Sequence, residues 1–242
     1  MANLDWPAFG SALWLVSDRL GIRPEWQLPV IYLETARTFD PSIMNPGGCV
    51  GLNQFCPSTY SRYVHVPVNQ YRTWTASAQL SGPILAYWRD ALTQGPIDSA
   101  ARLMLAQLGQ GLLATTPNMN SVVFSAPSAE YNQHSGFDLT RKGYFTLQDL
   151  ADVLAKQART PEVQEAIGRA YAMRPNEVPS EGYVFSLVTP PATRSGGAVA
   201  VVALSAFMAA IGYGTYKLLG ALKQQPERPT LPPPAFRPRP TP

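Results

Sequence analysis

The apolar residues of this chain recur mostly at helical spacing. Amphipathic helices are predicted from Ala76 to Leu92 and from Ile97 to Ala114, and a further helix from Leu147 to about Ala158. Four leucines of the second helix can form a buried face: Leu103, Leu105, Leu108 and Leu112. The alternation typical of strands is absent. We therefore predict one mainly α-helical domain over residues 1–175.

An apolar run that ends at Glu34 predicts a short helix around this acidic residue. Pro29 suits the first turn of a helix, and Asp40-Pro41 ends it because the residue before a proline avoids the α region. The apolar neighbours of the carboxyl should disfavour its charged form, raise its pKa and make it a usable proton donor. These neighbours are Val30, Ile31 and Leu33. The alternative is a solvated Glu34 that pairs with Arg37.

A second, longer apolar stretch lies near the end of the chain. The 22 residues between Arg194 and Lys217 carry no charge and would be about 33 Å long as a helix, enough to cross the hydrocarbon core of a bilayer. We predict a single transmembrane helix at residues 195–216, the alternative being a buried core helix.

Proline-containing segments flank the predicted membrane helix. Residues 176–194 form a Pro-containing linker, and residues 217–242 form a basic Pro-rich tail with eight prolines from Pro226 onward, which we expect to be disordered. The N terminus shows no basic region followed by an apolar one, so no secretory signal peptide is expected.

The charge is distributed unevenly between the two parts of the chain. Up to Arg194 there are 14 basic and 15 acidic residues, whereas beyond Tyr216 there are 5 basic and 1 acidic. The first part therefore has no basic excess that would indicate nucleic-acid binding.

Residues around and after Glu34 form an ordered set of motifs. Glu34 is followed by Phe39-x-Pro41, by Asn45-Pro46 with two glycines, and by Gly51-Leu52-x-Gln54-Phe55-x-Pro57. This order resembles the active-site signature of the goose-lysozyme-like lytic transglycosylases (the soluble lytic transglycosylase family), including bacteriophage virion-associated members. The resemblance implies a lysozyme-like helical domain that cleaves the MurNAc-GlcNAc β-1,4 bond of peptidoglycan and leaves a 1,6-anhydro product.

The resemblance also assigns residues to roles. Glu34 would act as acid and then base, and Gln54 would bind an N-acetyl group from a helix that Gly51 and Leu52 open. Tyr131 would direct its hydroxyl at the catalytic carboxyl, and Asn132 would contact sugar. Three positions depart from the family pattern: Asn53 and Cys56 stand where apolar residues are usual, and Glu130 replaces an alanine.

A single carboxyl is sufficient for this chemistry. Glycosidases usually use two, but Asp40 would lie roughly 240° around the helix from Glu34 and beyond its end, which makes it a poor second group. In the family that the motifs resemble, the N-acetyl group of the substrate stabilises the positive charge instead. Hydrolysis by water, as in goose-type lysozyme, remains an alternative.

Asp138 to Asp149 has the length of a calcium-binding EF-hand loop, with Gly143 at the sixth position. Thr140 and Lys142 occupy positions where oxygen-rich side chains are required, and the lysine ammonium would repel a cation, so we expect a turn before the helix at Leu147 and no calcium. The two histidines, His65 and His134, have no ligand-like spacing. We predict no metal and no cofactor. Cys49 and Cys56 would be bridged only if Cys49 lies in a loop before a helix.

Two functions from different classes remain. The first is a membrane-anchored transglycosylase whose partners are peptidoglycan glycan strands, a lipid membrane and virion proteins; it would open the cell wall during phage genome entry. The second is a structural virion or envelope protein that keeps a glycan-binding lysozyme-like fold with weak or no catalysis. The missing signal peptide favours a virion over a bacterial envelope.

Overall fold

The computed structural model describes residues 4–179, and this part of the chain is mainly α-helical, as predicted. The helices are α1 Trp6–Leu20, α2 Pro24–Glu34, α3 Pro57–Tyr63, α4 Val68–Tyr71, α5 Ala76–Gln79, α6 Leu85–Ala91, α7 Ala100–Leu108, α8 Leu112–Thr115, α9 Ala129–His134, α10 Leu147–Ala158 and α11 Pro161–Ala172. A π-helical segment, Leu80–Ile84, joins α5 to α6, and a 3₁₀ turn, Ser135–Phe137, follows α9.

Helix α2 lies at the centre of the core. It packs against α1, α7, α10 and α11, and Leu28, Val30 and Ile31 are completely buried. Its first turn is fixed to α11 by Glu25, which accepts hydrogen bonds from Tyr171 Oη at 2.5 Å and from Arg23 Nε at 2.7 Å. The helix that carries Glu34 is therefore held on several sides.

The bounds of α2 differ from the prediction. Pro24 occupies the first turn, and Pro29 lies inside the helix. The helix ends at Glu34, well before Asp40-Pro41, because Thr35 terminates it and the backbone of Ala36 then turns into the left-handed region at φ 49°. Both prolines fit a helix start equally well in sequence, and only the tertiary packing chooses between them.

Two of the three helices predicted after the Glu34 region are confirmed. Residues from Ala76 to Ala91 are helical throughout, with the π-helical segment in the middle, and α10 has the predicted bounds. Thr146 and Asp149 cap the start of α10 reciprocally. The predicted helix from Ile97 to Ala114 was wrong as one element, since it starts only at Ala100, after the cap Ser99, and breaks at Gly109. Of its four leucines, Leu103 and Leu105 are fully buried and the other two partly.

A short antiparallel hairpin was not predicted. It pairs β1, Val122–Ser125, with β2, Tyr144–Thr146, and has an irregular register between Val122 and Phe124. Strands of four and three residues are too short to show an alternating pattern in the sequence.

The linker from residue 180 onward, the predicted membrane helix at 195–216 and the tail at 217–242 lie outside the described residues. Within residues 4–179, no helix has both the length and the apolar character needed to cross a bilayer.

Candidate active site

Glu34 is the last residue of α2, and its side chain is half-buried. Burial raises the pKa of its carboxyl from 4.5 to about 7. Residues 4–179 contain no ion pair between this carboxyl and Arg37 or any other cation. The other buried carboxyl of α2, Glu25, does have one, with Arg23 at 2.7 Å. Glu34 can therefore hold a proton near neutral pH and is the candidate general acid.

The turn after Glu34 fixes the end of α2. The buried Thr35 hydroxyl donates to Ile31 O at 2.7 Å and accepts from Phe39 N at 2.9 Å. Arg37 and Phe39 have φ of 70° and 58°, in the left-handed region that is costly for residues other than glycine. The Phe39 ring is nonetheless anchored, because it is 1% exposed. Such strained backbone persists only where surrounding contacts hold it, and it clusters at functional sites.

Gln54 lies in a tight turn and not at the start of a helix. Val50 and Phe55 exchange backbone hydrogen bonds of 3.1 and 3.0 Å, with Gly51 at φ 83° and Gln54 at φ 44° between them. The prediction that Gly51 and Leu52 open a helix was wrong, since α3 begins only at Pro57. The chain forms a turn here because residue 51 is a glycine, which adopts the left-handed backbone conformation without steric cost. We call residues 50–55 the Gln54 turn.

The amide nitrogen of Gln54 is bound to the backbone, whereas its amide oxygen has no hydrogen bond from residues 4–179. Nε2 donates to Gly51 O at 2.9 Å and to Ile43 O at 3.4 Å. Since the side chain is only half-buried, Oε1 can accept a hydrogen bond from the N–H of an N-acetyl group.

A disulfide between Cys49 and Cys56 closes the Gln54 turn. Cys49 lies in the glycine-containing loop and Cys56 directly precedes α3, which is the one arrangement in which the sequence allowed a bridge. The bridge and the Val50–Phe55 pairing together restrict the turn from both ends.

Tyr87 is a site residue that the sequence analysis missed. It is 6% exposed, and its hydroxyl donates to Ala106 O at 2.6 Å. Burial, followed by the charges of Tyr63 and Glu34, raises the pKa of this hydroxyl, so Glu34 and Tyr87 belong to the same electrostatic neighbourhood. The Tyr63 ring contacts Tyr87 edge-on with centroids 5.2 Å apart, and Phe55 stacks on Tyr63. No sequence signal links residues so far apart along the chain.

A pair of amides connects the Gln54 turn to α7. Asn53 Nδ2 donates to Gln107 Oε1 at 2.9 Å, and Gln107 Nε2 donates back to Asn53 O at 3.4 Å. Asn53 is 5% exposed, so its side chain serves an internal contact between the turn and α7. Gln107 was not predicted, although a polar residue in an apolar helix is a signal that could have indicated it. Contacts therefore run from the Gln54 turn through Asn53 and α7 to Tyr87, whose hydroxyl is affected by the charge of Glu34.

The structure gives Tyr131 and Asn132 other contacts. The Tyr131 hydroxyl donates to Asp138 Oδ2 at 2.8 Å and so does not donate to Glu34. Asn132 is exposed, with Nδ2 at 3.5 Å from Pro127 O. The predicted geometry of the Tyr131 hydroxyl is thus wrong for this structure, whereas the sugar contact predicted for Asn132 stays a prediction.

Asp138 organises the loop that resembles an EF-hand in length. Its carboxylate accepts from Lys142 N at 3.1 Å and from Gly143 N at 2.7 Å. Burial raises the pKa of this carboxyl, but the hydrogen bonds outweigh it and hold the pKa below its usual value. Lys142 Nζ pairs with Asp149 at 2.9 Å. Residues 4–179 contain no cluster of three or more side chains suited to hold a metal ion.

Asp40, the nearest acidic residue in sequence, is exposed and follows the end of α2. Its Oδ1 accepts from Ser42 N at 2.8 Å and from Ser42 Oγ at 2.7 Å. This carboxylate caps its own turn.

Comparison with protein-family models, with curated proteins and with solved structures found no match for this chain. The functional argument therefore depends on the residues and their geometry.

Proposed function

We propose that the chain is a peptidoglycan lytic transglycosylase with a lysozyme-like domain and Glu34 as its acid and base. The observation that carries the proposal is a half-buried carboxyl with a pKa of about 7 at the end of a fixed helix. Such a group is protonated in a useful fraction of molecules at neutral pH and still accepts a proton readily afterwards.

The mechanism uses Glu34 twice. Its carboxyl protonates the glycosidic oxygen while the N-acetyl group of the substrate stabilises the charge at carbon 1. The resulting carboxylate then removes the proton of the 6-hydroxyl, and oxygen 6 closes the 1,6-anhydro ring. Gln54 Oε1 accepts from the N-acetyl N–H, which orients the sugar. The commitment of Asp40 to Ser42 supports a mechanism with one carboxyl.

The test is digestion of purified cell-wall peptidoglycan by the wild-type chain and by Glu34→Gln. We expect the variant to release fragments at least about 100-fold more slowly, because it cannot transfer a proton. Mass spectrometry of the wild-type products should show anhydro sugars. Asp40→Asn is the matched control and should retain wild-type activity.

Each contrary outcome has a defined meaning. Equal release by wild type and Glu34→Gln would refute the enzyme and leave the structural, glycan-binding protein. Products with reducing ends would instead indicate hydrolysis by water. Asp90, which accepts from the Tyr63 hydroxyl at 3.1 Å, would then be the second carboxyl to examine, because Tyr63 contacts Tyr87.

The setting of the reaction is part of the proposal. We place the enzyme on a membrane through residues 195–216, with a virion as the site of action and the bacterial envelope as the alternative. Support for this comes from the uncharged segment and the basic tail that follows it.

A further inference from the structure

Gln79 connects three separate parts of the chain from a completely buried position. It is the last residue of α5 and is 0% exposed. Its Oε1 accepts from Leu52 N at 3.0 Å, and its Nε2 donates to Pro41 O at 2.8 Å and to Tyr71 O at 3.3 Å. Both amide hydrogens and the carbonyl oxygen are used.

Gly51 fits directly against this side chain. A Cβ at Gly51 would lie 2.6 Å from Gln79 Oε1 and 2.7 Å from Tyr71 Cε1, closer than real Cβ atoms come to other atoms. Position 51 therefore requires glycine for two reasons: a side chain would collide with Gln79, and the backbone has a left-handed φ of 83°. The turn and the amide fit together only in one position.

Two of the contacts of Gln79, Pro41 and Leu52, lie within the segment that joins Glu34 to Gln54. Pro41 follows the strained turn after α2, and Leu52 lies inside the Gln54 turn. The amide therefore sets the position of that turn relative to the end of α2. The helix widens into its π-helical segment immediately after Gln79, a feature frequent near functional sites.

We propose that Gln79 is a positioning residue of the site, which holds the Gln54 turn where Gln54 Oε1 meets the N-acetyl group of the substrate. The inference rests on the proposed function and extends it to substrate binding. Gln79 itself is buried and does not touch the substrate.

The experiment is Gln79→Glu in the full chain, assayed on peptidoglycan at pH 5 and pH 8. A protonated carboxyl keeps the acceptor for Leu52 N and one donor for Pro41 O. The ionised form has no donor and opposes the carbonyl oxygens of Pro41 and Tyr71. Burial raises the pKa of the introduced group, and the ionised fraction grows between pH 5 and pH 8.

We expect KM within threefold of the wild type at pH 5 and at least tenfold higher at pH 8, with kcat changed less than threefold relative to wild type at each pH. Gln70→Glu, an exposed substitution in α4, is the matched control and should show no such change. Gly51→Ala should raise KM at both pH values, because its added Cβ displaces the turn without introducing a titrating group. This variant also tests the idea should Gln79→Glu fail to fold.

A KM for Gln79→Glu equal to the wild-type value at both pH values would overturn the inference, as would a Gly51→Ala variant with unchanged KM. Glu34→Gln, assayed in parallel, separates failure of the positioning role from failure of the proposed function. Loss of activity in Glu34→Gln with no effect of the Gln79 and Gly51 variants removes only the positioning role. Full activity in Glu34→Gln removes the proposed function itself.

Discussion

Glu34 and Glu25 are two carboxyls of one helix with different surroundings. At the start of α2, Glu25 forms an ion pair with Arg23 and accepts a hydrogen bond from the Tyr171 hydroxyl, so its charge is compensated. Glu34, at the other end, has no cation partner among residues 4–179, and burial raises the pKa of its carboxyl to about 7. The negative end of the helix dipole adds to the cost of ionising it there. The sequence predicted the direction of this shift correctly from the apolar neighbours.

The raised pKa predicts a pH-dependent effect of Glu34→Gln on stability. Because the folded-state pKa of the Glu34 carboxyl exceeds the unfolded value of 4.5, protonation of this carboxyl favours the folded state. This contribution to stability is fully present below pH 4.5 and is lost as the pH rises to about 7. Above pH 7 the wild type carries a half-buried charge that the variant lacks. We expect the variant to gain about 3 kcal/mol in its free energy of unfolding, relative to wild type, between pH 4.5 and pH 8.

Denaturant titrations at pH 4.5 and pH 8 measure this change. Glu130→Gln replaces an exposed carboxyl, and we expect its free energy of unfolding to match that of the wild type at both pH values. A stability difference between wild type and Glu34→Gln that does not vary with pH would mean that the carboxyl titrates normally.

At the scale of elements, the sequence predicted what depends on local pattern and missed what depends on distant contacts. Helix α10 matches its predicted bounds, and both its apolar spacing and its cap are local features. The Gln54 turn was taken for a helix because its shape depends on a positive φ at Gln54, on Gln79 and on the disulfide. Tyr87 and Gln107 reach the site through packing of α6 and α7, and for Tyr87 no motif encodes this.

For Tyr131, which lies between the two strands of the hairpin, the structure and the family resemblance predict different effects of a substitution. The Tyr131 hydroxyl holds Asp138, which in turn binds the backbone of Lys142 and Gly143. We therefore expect Tyr131→Phe to lower the thermal midpoint and to leave kcat on peptidoglycan within threefold of wild type. The resemblance predicts a loss of activity instead. Calorimetry and a kinetic assay on the same samples decide between them.

Tyr144→Phe is the matched control for that experiment. Tyr144 is 39% exposed and lies in the same hairpin, so its change should alter neither quantity. A large fall in kcat for Tyr131→Phe at a temperature where the variant is folded would restore the place beside the catalytic carboxyl that the resemblance gives Tyr131.

At the scale of the whole molecule, the helical domain and the uncharged stretch at 195–216 carry different parts of the proposal. The core around α2 supports the chemistry, whereas attachment to a membrane is argued from composition alone. We predict that the full chain floats with liposomes in a density gradient. Leu204→Arg combined with Met208→Arg should abolish flotation, because two charges at the centre of a span cost several kcal/mol.

The paired control is Arg228→Leu combined with Arg237→Leu, which removes charge from the tail and should leave flotation on neutral lipid unchanged. Flotation of the double-arginine variant at the wild-type level would contradict the membrane-spanning assignment. Retention of wall-cutting activity by that variant on soluble glycan fragments would show that the chemistry does not need the anchor.

The most direct test of the central claim is the pKa of Glu34 itself. In a chain labelled with ¹³C at glutamate carboxyls, the pH titration of wild type and Glu34→Gln identifies its resonance by difference. The account predicts one resonance that titrates near pH 7 in the wild type and is missing from the variant. A Glu34 resonance with a midpoint near 4.5 would contradict it, because such a carboxyl would be ionised at neutral pH and could not serve as the acid.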